Sequence, residues 1–137
     1  MDILNRIETL KNKLQLVKED LSLLPQVDTP SVHHFTDGVY TRETFMPKGT
    51  FAIGKRHRFK VLNILLKGEI SVLMDSSEEV IHLKAPCIFE SEAGVAKVAY
   101  FHEDTVWLNI HPTEETDLSK IEAAVIIDDN KELIWHG

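Results

Sequence analysis

The first 24 residues alternate apolar and charged positions with a spacing typical of a coiled coil. Steps of four and three residues separate seven apolar side chains: Ile3, Ile7, Leu10, Leu14, Val17, Leu21 and Leu24. A helix with this spacing carries one continuous apolar seam, and Pro25 ends it. Residues 1–24 are therefore predicted to form an oligomerising helix, in a homodimer or a homotrimer. The alternative is that this helix packs on its own domain.

The pattern changes to short strands after a linker that is predicted at residues 25–32. The strands are predicted at 38–46, 51–53, 61–67, 69–74, 79–83, 87–90, 96–101 and 105–110. Turn residues separate them, and short strands at this close spacing favour an antiparallel sandwich or barrel. The domain is predicted to span 33–137.

Two further elements are predicted near the C-terminus. Thr116 or Asp117 is expected to cap the start of a short helix, because both side chains accept hydrogen bonds from free backbone amides. Residues 124–135 are expected to form a final strand pair that turns at Asp129-Asn130.

Composition narrows the class of protein. The fraction of hydrophobic residues, 43%, is high enough for a globular core. No apolar run approaches the length of a membrane span, and no signal-peptide pattern opens the chain. Cys87 is the single cysteine, so an intramolecular disulfide is excluded. These features predict a cytoplasmic protein.

Charge is unevenly distributed along the chain. Residues 103–137 hold nine acidic and two basic side chains, which accounts for the whole net charge of −7. Overall acidity disfavours nonspecific nucleic-acid binding, and neither a nucleic acid nor a membrane is an expected partner. A run of cations between residues 48 and 60 has no acid within it, and is the place where an anion is most favourable.

A family resemblance rests on several motifs between residues 33 and 122. Gly54-Lys55-Arg56-His57 and Lys67-Gly68 resemble the first motif of the cupin superfamily. The block from Phe101-His102-Glu103-Asp104 to Asp117-Leu118 is similar to small cupin-like proteins of tailed bacteriophages, most of them without an assigned function. The resemblance implies a mainly β, cupin-like antiparallel β-barrel, the double-stranded jelly roll, behind the N-terminal coiled-coil helix.

The resemblance also implies where metal ligands would stand. The superfamily's first motif carries two histidines and a glutamate, and its second motif carries one more histidine. Here Lys55 occupies the first histidine position and His57 the second, while Lys97 occupies the histidine position of the second motif. The glutamate position falls on Val61 or Leu62. A single histidine is too few ligands for a transition metal, so no metal and no cofactor are expected.

The same substitutions predict an anion site. Lys55 and His57 lie two residues apart and are expected to share the inward face of a strand, with Lys97 opposite them. Two ammonium groups beside an imidazole suit phosphate or carboxylate. Tyr40 is expected to contribute an aromatic wall to the ligand site. Trp107, Asn109 and His111 alternate along one strand and so share one face, which is expected to line the site as well. The alternative is that Lys55 and Lys97 bind no ligand and instead pair with glutamates at positions 43, 69 or 90, which would hold the barrel together.

Motifs for nucleophilic or metal-assisted catalysis are absent from the sequence, so no catalytic residue is predicted. The leading hypothesis is an oligomeric protein that binds a small anionic molecule bearing phosphate or carboxylate, nucleotides included. A phage-encoded protein would act in the host cytoplasm. A structural or assembly protein of the virion is the first alternative. A cupin-type isomerase or metal-dependent enzyme is the second, because His57 remains as a candidate base.

Overall fold

A computed structural model describes residues 30–74, 79–127 and 133–136. The elements in these ranges are β1 (Ser31–Thr36), β2 (Val39–Met46), β3 (Thr50–Ile53), β4 (Val61–Lys67), β5 (Glu69–Met74), β6 (Val80–Lys84), β7 (Cys87–Ser91), β8 (Lys97–Phe101), β9 (Thr105–Pro112), α1 (Leu118–Val125) and β10 (Leu133–His136). The predicted coiled coil at 1–24 and the linker up to residue 29 lie outside the described residues. Among the described residues, no helix has the length and apolarity needed to cross a membrane.

The strands form two five-stranded sheets. One sheet has the order β1-β2-β9-β4-β7 and the other has the order β10-β3-β8-β5-β6. Every pairing is antiparallel. Strands that are distant in sequence lie side by side, as β2 and β9 do, which is the arrangement of a jelly roll. The prediction of a mainly β, antiparallel fold is confirmed.

The inward face of the first sheet changes character along its strands. At one end Met46, Leu65 and Trp107 are buried in the core cluster that both sheets share. Toward the other end β2 turns Arg42 and Tyr40 inward, and their partners on β9 are Asn109 and His111. The sheets therefore pack through apolar side chains at one end and enclose polar side chains at the other.

Strand β1 begins within the segment that was predicted to be a linker, residues 25–32. This strand begins at Ser31 and pairs with β2 along its whole length. Five of its six residues are exposed. An edge strand with few buried positions lacks the apolar alternation by which strands are recognised in a sequence, and Pro30 directly precedes it.

The C-terminal prediction was right about the helix and wrong about the strand pair. Asp117 caps α1, accepting hydrogen bonds from the amides of Ser119 and Lys120. The helix continues to Val125, so the expected pair does not begin as a strand, and Ile126 makes only an isolated bridge with His57. Within the described residues after α1, Leu133–His136 forms a strand, and this strand, β10, pairs with β3. Apolar residues at 121, 125 and 126 fit the buried side of a helix as well as they fit a strand.

Candidate functional site

Two adjoining cavities lie at the polar end of the barrel. The outer cavity has a volume of about 240 Å³ and lies between β1, β2, β9 and α1. The inner cavity, about 70 Å³, extends toward the core cluster. Residues that line both of them are Arg42, Lys55, His57, Asn109 and Ile126. The two cavities therefore meet at this junction.

The structure brings the predicted site residues together around these cavities. Lys55, His57 and Asn109 lie at the junction. The outer cavity adds Tyr40 and His111, and the inner cavity adds Lys97 and Trp107. Their role in binding a ligand stays a prediction.

The reason given for the common direction of Lys55 and His57 was wrong. Residues 54–60 connect β3 to β4 and are not a strand. His57 makes one isolated antiparallel bridge with Ile126, just after α1. Further contacts tie the same connection to the end of α1: the amide of Arg58 donates to the carbonyl of Val125 (2.7 Å), and the amide of Ile127 donates to Arg56 (2.9 Å). These contacts fix the 54–60 connection and the end of α1 to each other beside the cavity.

Asn63 is the centre of a buried hydrogen-bond network beneath the junction. Its Oδ1 accepts from Trp107 Nε1 at 2.9 Å, from Asn109 Nδ2 at 2.8 Å and from Lys97 Nζ at 3.4 Å. Its Nδ2 donates to Ser91 Oγ at 2.8 Å. The amide is fully buried, so it fixes three site side chains in place.

Lys97 is held against the wall of the inner cavity. Its ammonium donates to Ser91 Oγ at 2.7 Å and lies 5.3 Å from the centre of the Trp107 ring. The side chain is 7% exposed. A cation–π contact and hydrogen bonds to Ser91 and Asn63 are among the contacts that hold this ammonium beside the cavity.

Lys55 pairs with Glu122 of α1, which lines the outer cavity. The glutamates expected in the structural alternative have other contacts: Glu43 with His34, Glu69 with His82 and Glu90 with Lys60. That alternative was therefore wrong about the partner of Lys55. Because helix α1 supplies the carboxylate, the pair joins the helix to the barrel wall.

Burial and neighbouring cations keep His57 neutral. Desolvation lowers the pKa of His57 to about 3, and electrostatic repulsion by Lys97, His111, Arg42 and Lys55 acts in the same direction. The ring of His111 lies edge-on to His57, with centroids 5.3 Å apart. Burial, Arg42 and Lys97 also lower the pKa of His111. Both imidazoles therefore serve as neutral hydrogen-bonding groups near pH 7.

Stacked rings form one side of the outer cavity. Tyr40 stacks on His111 with centroids 5.8 Å apart, and its hydroxyl is hydrogen-bonded to His33 Nδ1 at 2.7 Å. Burial raises the pKa of Tyr40; Arg42 opposes this shift and Glu122 adds to it. The phenol stays protonated at neutral pH.

Sequence reasoning missed Arg42, Asn63 and Glu122. Arg42 has the same strand parity as Tyr40, so extending the period of two along β2 would have identified it. Asn63 lies between two apolar positions of equal parity on β4, where a buried amide is unexpected. Glu122 carries no such signal, because its position depends on how α1 packs on the barrel.

The residues around the cavities do not fit a divalent metal. Within the ranges that the structure describes, no three His, Cys, Asp or Glu side chains form a group that could hold a metal ion. His57 and His111 face each other, but Lys55, Arg42 and Lys97 exert a positive field on one or both of them. A cation at this point would be repelled rather than attracted.

Comparison with solved structures identifies the fold. Ectoine synthase from P. lautus is similar with a TM-score of 0.59 and 11% identity, covering 80% of each chain. A cupin superfamily protein from Desulfitobacterium hafniense has a TM-score of 0.52 and 16% identity, covering 67% of this chain and 85% of that one. KdgF from Halomonas sp. has a TM-score of 0.53 and 14% identity, covering 71% of this chain and 88% of that one. At these identities the likeness shows the cupin jelly-roll fold alone. No family model and no curated protein matches the sequence.

Proposed function

We propose that this protein binds a small anionic molecule, without a metal, in the cavities between Arg42, Lys55 and Lys97. The observation that carries the proposal is the charge of the lining. Three permanent cations border the two cavities, and among the described residues Glu122 is the only carboxylate in the lining. With His57 and His111 neutral, the cavity favours an anion.

The lining groups suit a phosphate or a carboxylate. The guanidinium of Arg42 presents several donors in one plane, which matches the oxygens of such a group. Lys55 adds a point charge, and an incoming anion would take the place of Glu122 at its ammonium. Asn109, Tyr40 and His111 supply neutral hydrogen bonds to the rest of the ligand.

Cavity size limits the ligand. Pockets for drug-sized molecules measure roughly 300–1,000 Å³, and the outer cavity measures about 240 Å³. A phosphate ion, a small carboxylic acid or a sugar acid fits this space better than a nucleotide does.

The same geometry supports binding over acid–base catalysis. A general base works best with a pKa near the working pH, and the pKa of His57 is lowered to about 3. Tyr40 stays protonated because its pKa is raised. An isomerase would need one of these groups to accept a proton near pH 7.

The test is isothermal titration of the full chain with phosphate, gluconate and adenosine monophosphate. We expect Lys55→Met to weaken binding of the preferred anion by at least tenfold. Glu122→Gln should tighten it about two- to fivefold, because the competing carboxylate is removed. Lys60→Met is the matched control, since Lys60 pairs with Glu90 away from the cavities.

Two results would reject the proposal. One is the absence of heat with every anion. The other is an effect of Lys55→Met no larger than that of Lys60→Met.

The proposal extends to the setting in which the protein acts. The apolar seam of residues 1–24 supports a homodimer or homotrimer, and residues 33–122 resemble small proteins of tailed bacteriophages. We infer a phage-encoded oligomer that acts in the host cytoplasm. The alternative is a virion assembly protein, which predicts that the chain is found in purified particles instead of the soluble fraction of infected cells.

A further inference from the structure

The two cavities differ in chemistry. The outer cavity is lined by polar and aromatic groups such as Ser31, His33 and Tyr40, and on the side of α1 by the aliphatic Leu118, Ile121, Val125 and Ile126. Five hydrophobic side chains supply much of the inner cavity's wall: Met46, Ala52, Ala99, Phe101 and Trp107. Each of these five is at most 8% exposed and belongs to the core cluster. The inner cavity is thus a small apolar space at the end of a charged one.

The cationic groups at the junction lie between these two environments. Arg42 and Lys55 line both cavities. Lys97 lines the inner cavity, but its ammonium is turned to Ser91 and Asn63 in the wall. An anionic group is therefore best placed at Arg42 and Lys55, and the atoms attached to it extend either outward or into the apolar space.

We propose that the ligand is a small carboxylic acid with a short apolar end, which the inner cavity receives. This inference rests on the proposed anion binding and adds the ligand's chemical class and orientation. The carboxylate lies between Arg42 and Lys55. The apolar end contacts Ala52, Ala99 and Phe101, and any polar substituent points to Tyr40 and Asn109.

The size of the inner cavity sets the length of the apolar end. A water molecule takes up roughly 30 Å³ of liquid volume, so a cavity of about 70 Å³ accommodates roughly two or three non-hydrogen atoms. Burial of one methylene group corresponds to about fourfold in affinity. Affinity is therefore expected to rise with chain length and then stop rising when the space is full.

The experiment is an NMR titration of the full chain with formate, acetate, propionate, butyrate and valerate. We expect about fourfold tighter binding per added methylene up to butyrate, with no further gain for valerate. Glycolate, which has nearly the size of propionate but ends in a hydroxyl, should bind several-fold more weakly than propionate.

Cavity-filling variants locate the apolar end. Ala99→Val should abolish the dependence on chain length, because the added methyl groups occupy the inner cavity. Ala52→Val is a second variant in the same wall, so that failure of one variant to fold leaves the other as a test. Ala123→Val, on the exposed side of α1, is the control and should preserve the dependence.

The outcomes separate this inference from the proposed function. Equal affinities across the acid series would reject an apolar end of the ligand in the inner cavity, while the proposed anion binding would stand. The same holds if both wall variants keep the dependence of affinity on chain length. Phosphate binding without any carboxylate binding would do the same. If neither phosphate nor any carboxylate binds, both proposals fail.

Discussion

His57 is a histidine whose surroundings favour its neutral form. Its pKa is lowered to about 3, first by burial and then by the neighbouring Lys97, His111, Arg42 and Lys55. In the unfolded chain a histidine titrates near 6.5. The unfolded state therefore binds a proton more readily between these two values, so acidification through this range costs stability.

This difference predicts how stability depends on pH. Between about pH 6.5 and pH 4, His57 should cost roughly 3 kcal/mol of unfolding free energy, at about 1.4 kcal/mol per pH unit. Urea unfolding at several pH values should show a steeper loss for the wild type than for His57→Gln. The lowered pKa of His111 also reduces stability on acidification, but it does so in both proteins. The difference between their pH dependences therefore reports on His57. Identical slopes would contradict a buried, neutral His57.

Replacing Asn63 tests the buried hydrogen-bond network beneath the cavities. Asn63→Ala removes the acceptor for Lys97, Trp107 and Asn109. Lys97 keeps Ser91 Oγ as an acceptor, whereas Trp107 Nε1 and Asn109 Nδ2 lose theirs. A donor left buried without a partner costs about 1–3 kcal/mol, so a loss of roughly 3 kcal/mol is expected in urea unfolding. Asn109→Ala is the control and should cost about 1 kcal/mol, since it removes one donor and leaves Asn63 in place. Equal losses for the two variants would show that Asn63 is not the centre of the network.

Single residues differ in how far the sequence predicts them. The positions of Lys55 and Lys97 followed from a motif, and Asn109 and His111 followed from strand parity with Trp107. Asn63 could not be recognised, because its role comes from donors on β8 and β9 that are more than 30 residues away. Partners of this kind become visible only when the strands are assembled.

Among the elements, the connection between β4 and β5 depends on Gly68. Its φ is +106°, and an added Cβ would lie 2.7 Å from the backbone Cα of Thr105. Gly68→Ala is therefore expected to cost roughly 3 kcal/mol or more, from backbone strain and from the forced displacement of β9. Chemical unfolding would measure the loss.

Gly54 provides the comparison for this substitution. Its added Cβ would meet nothing within 4 Å, so Gly54→Ala should change stability by less than about 1 kcal/mol. A loss at Gly54 as large as that at Gly68 would contradict the close packing of β9 on the β4–β5 turn.

The strands were easier to predict than the segments that build the site. Strands β4 and β5 are short apolar runs separated by a glycine, so their bounds were predicted as observed. The connection at 54–60 has no such apolar run, and its path depends on contacts with α1. Helix α1 was recognised by its cap at Asp117, but nothing local indicated that it closes the cavity.

At the scale of the whole molecule, the described β-domain and the seam of residues 1–24 carry separate predictions. The seam is expected to hold two or three copies together, because three heptads are too short to be stable as an isolated helix. Leu14→Asp places a charge in the seam and should convert the oligomer to a monomer in light scattering coupled to size-exclusion chromatography. Gln15→Asp places the same charge one position away and should leave the mass unchanged. A monomeric wild type, or equal masses for both variants, would show that the seam packs within one chain. The described residues of one chain line the cationic cavities on several sides, so we expect Leu14→Asp to retain the anion affinity of the wild type even as a monomer.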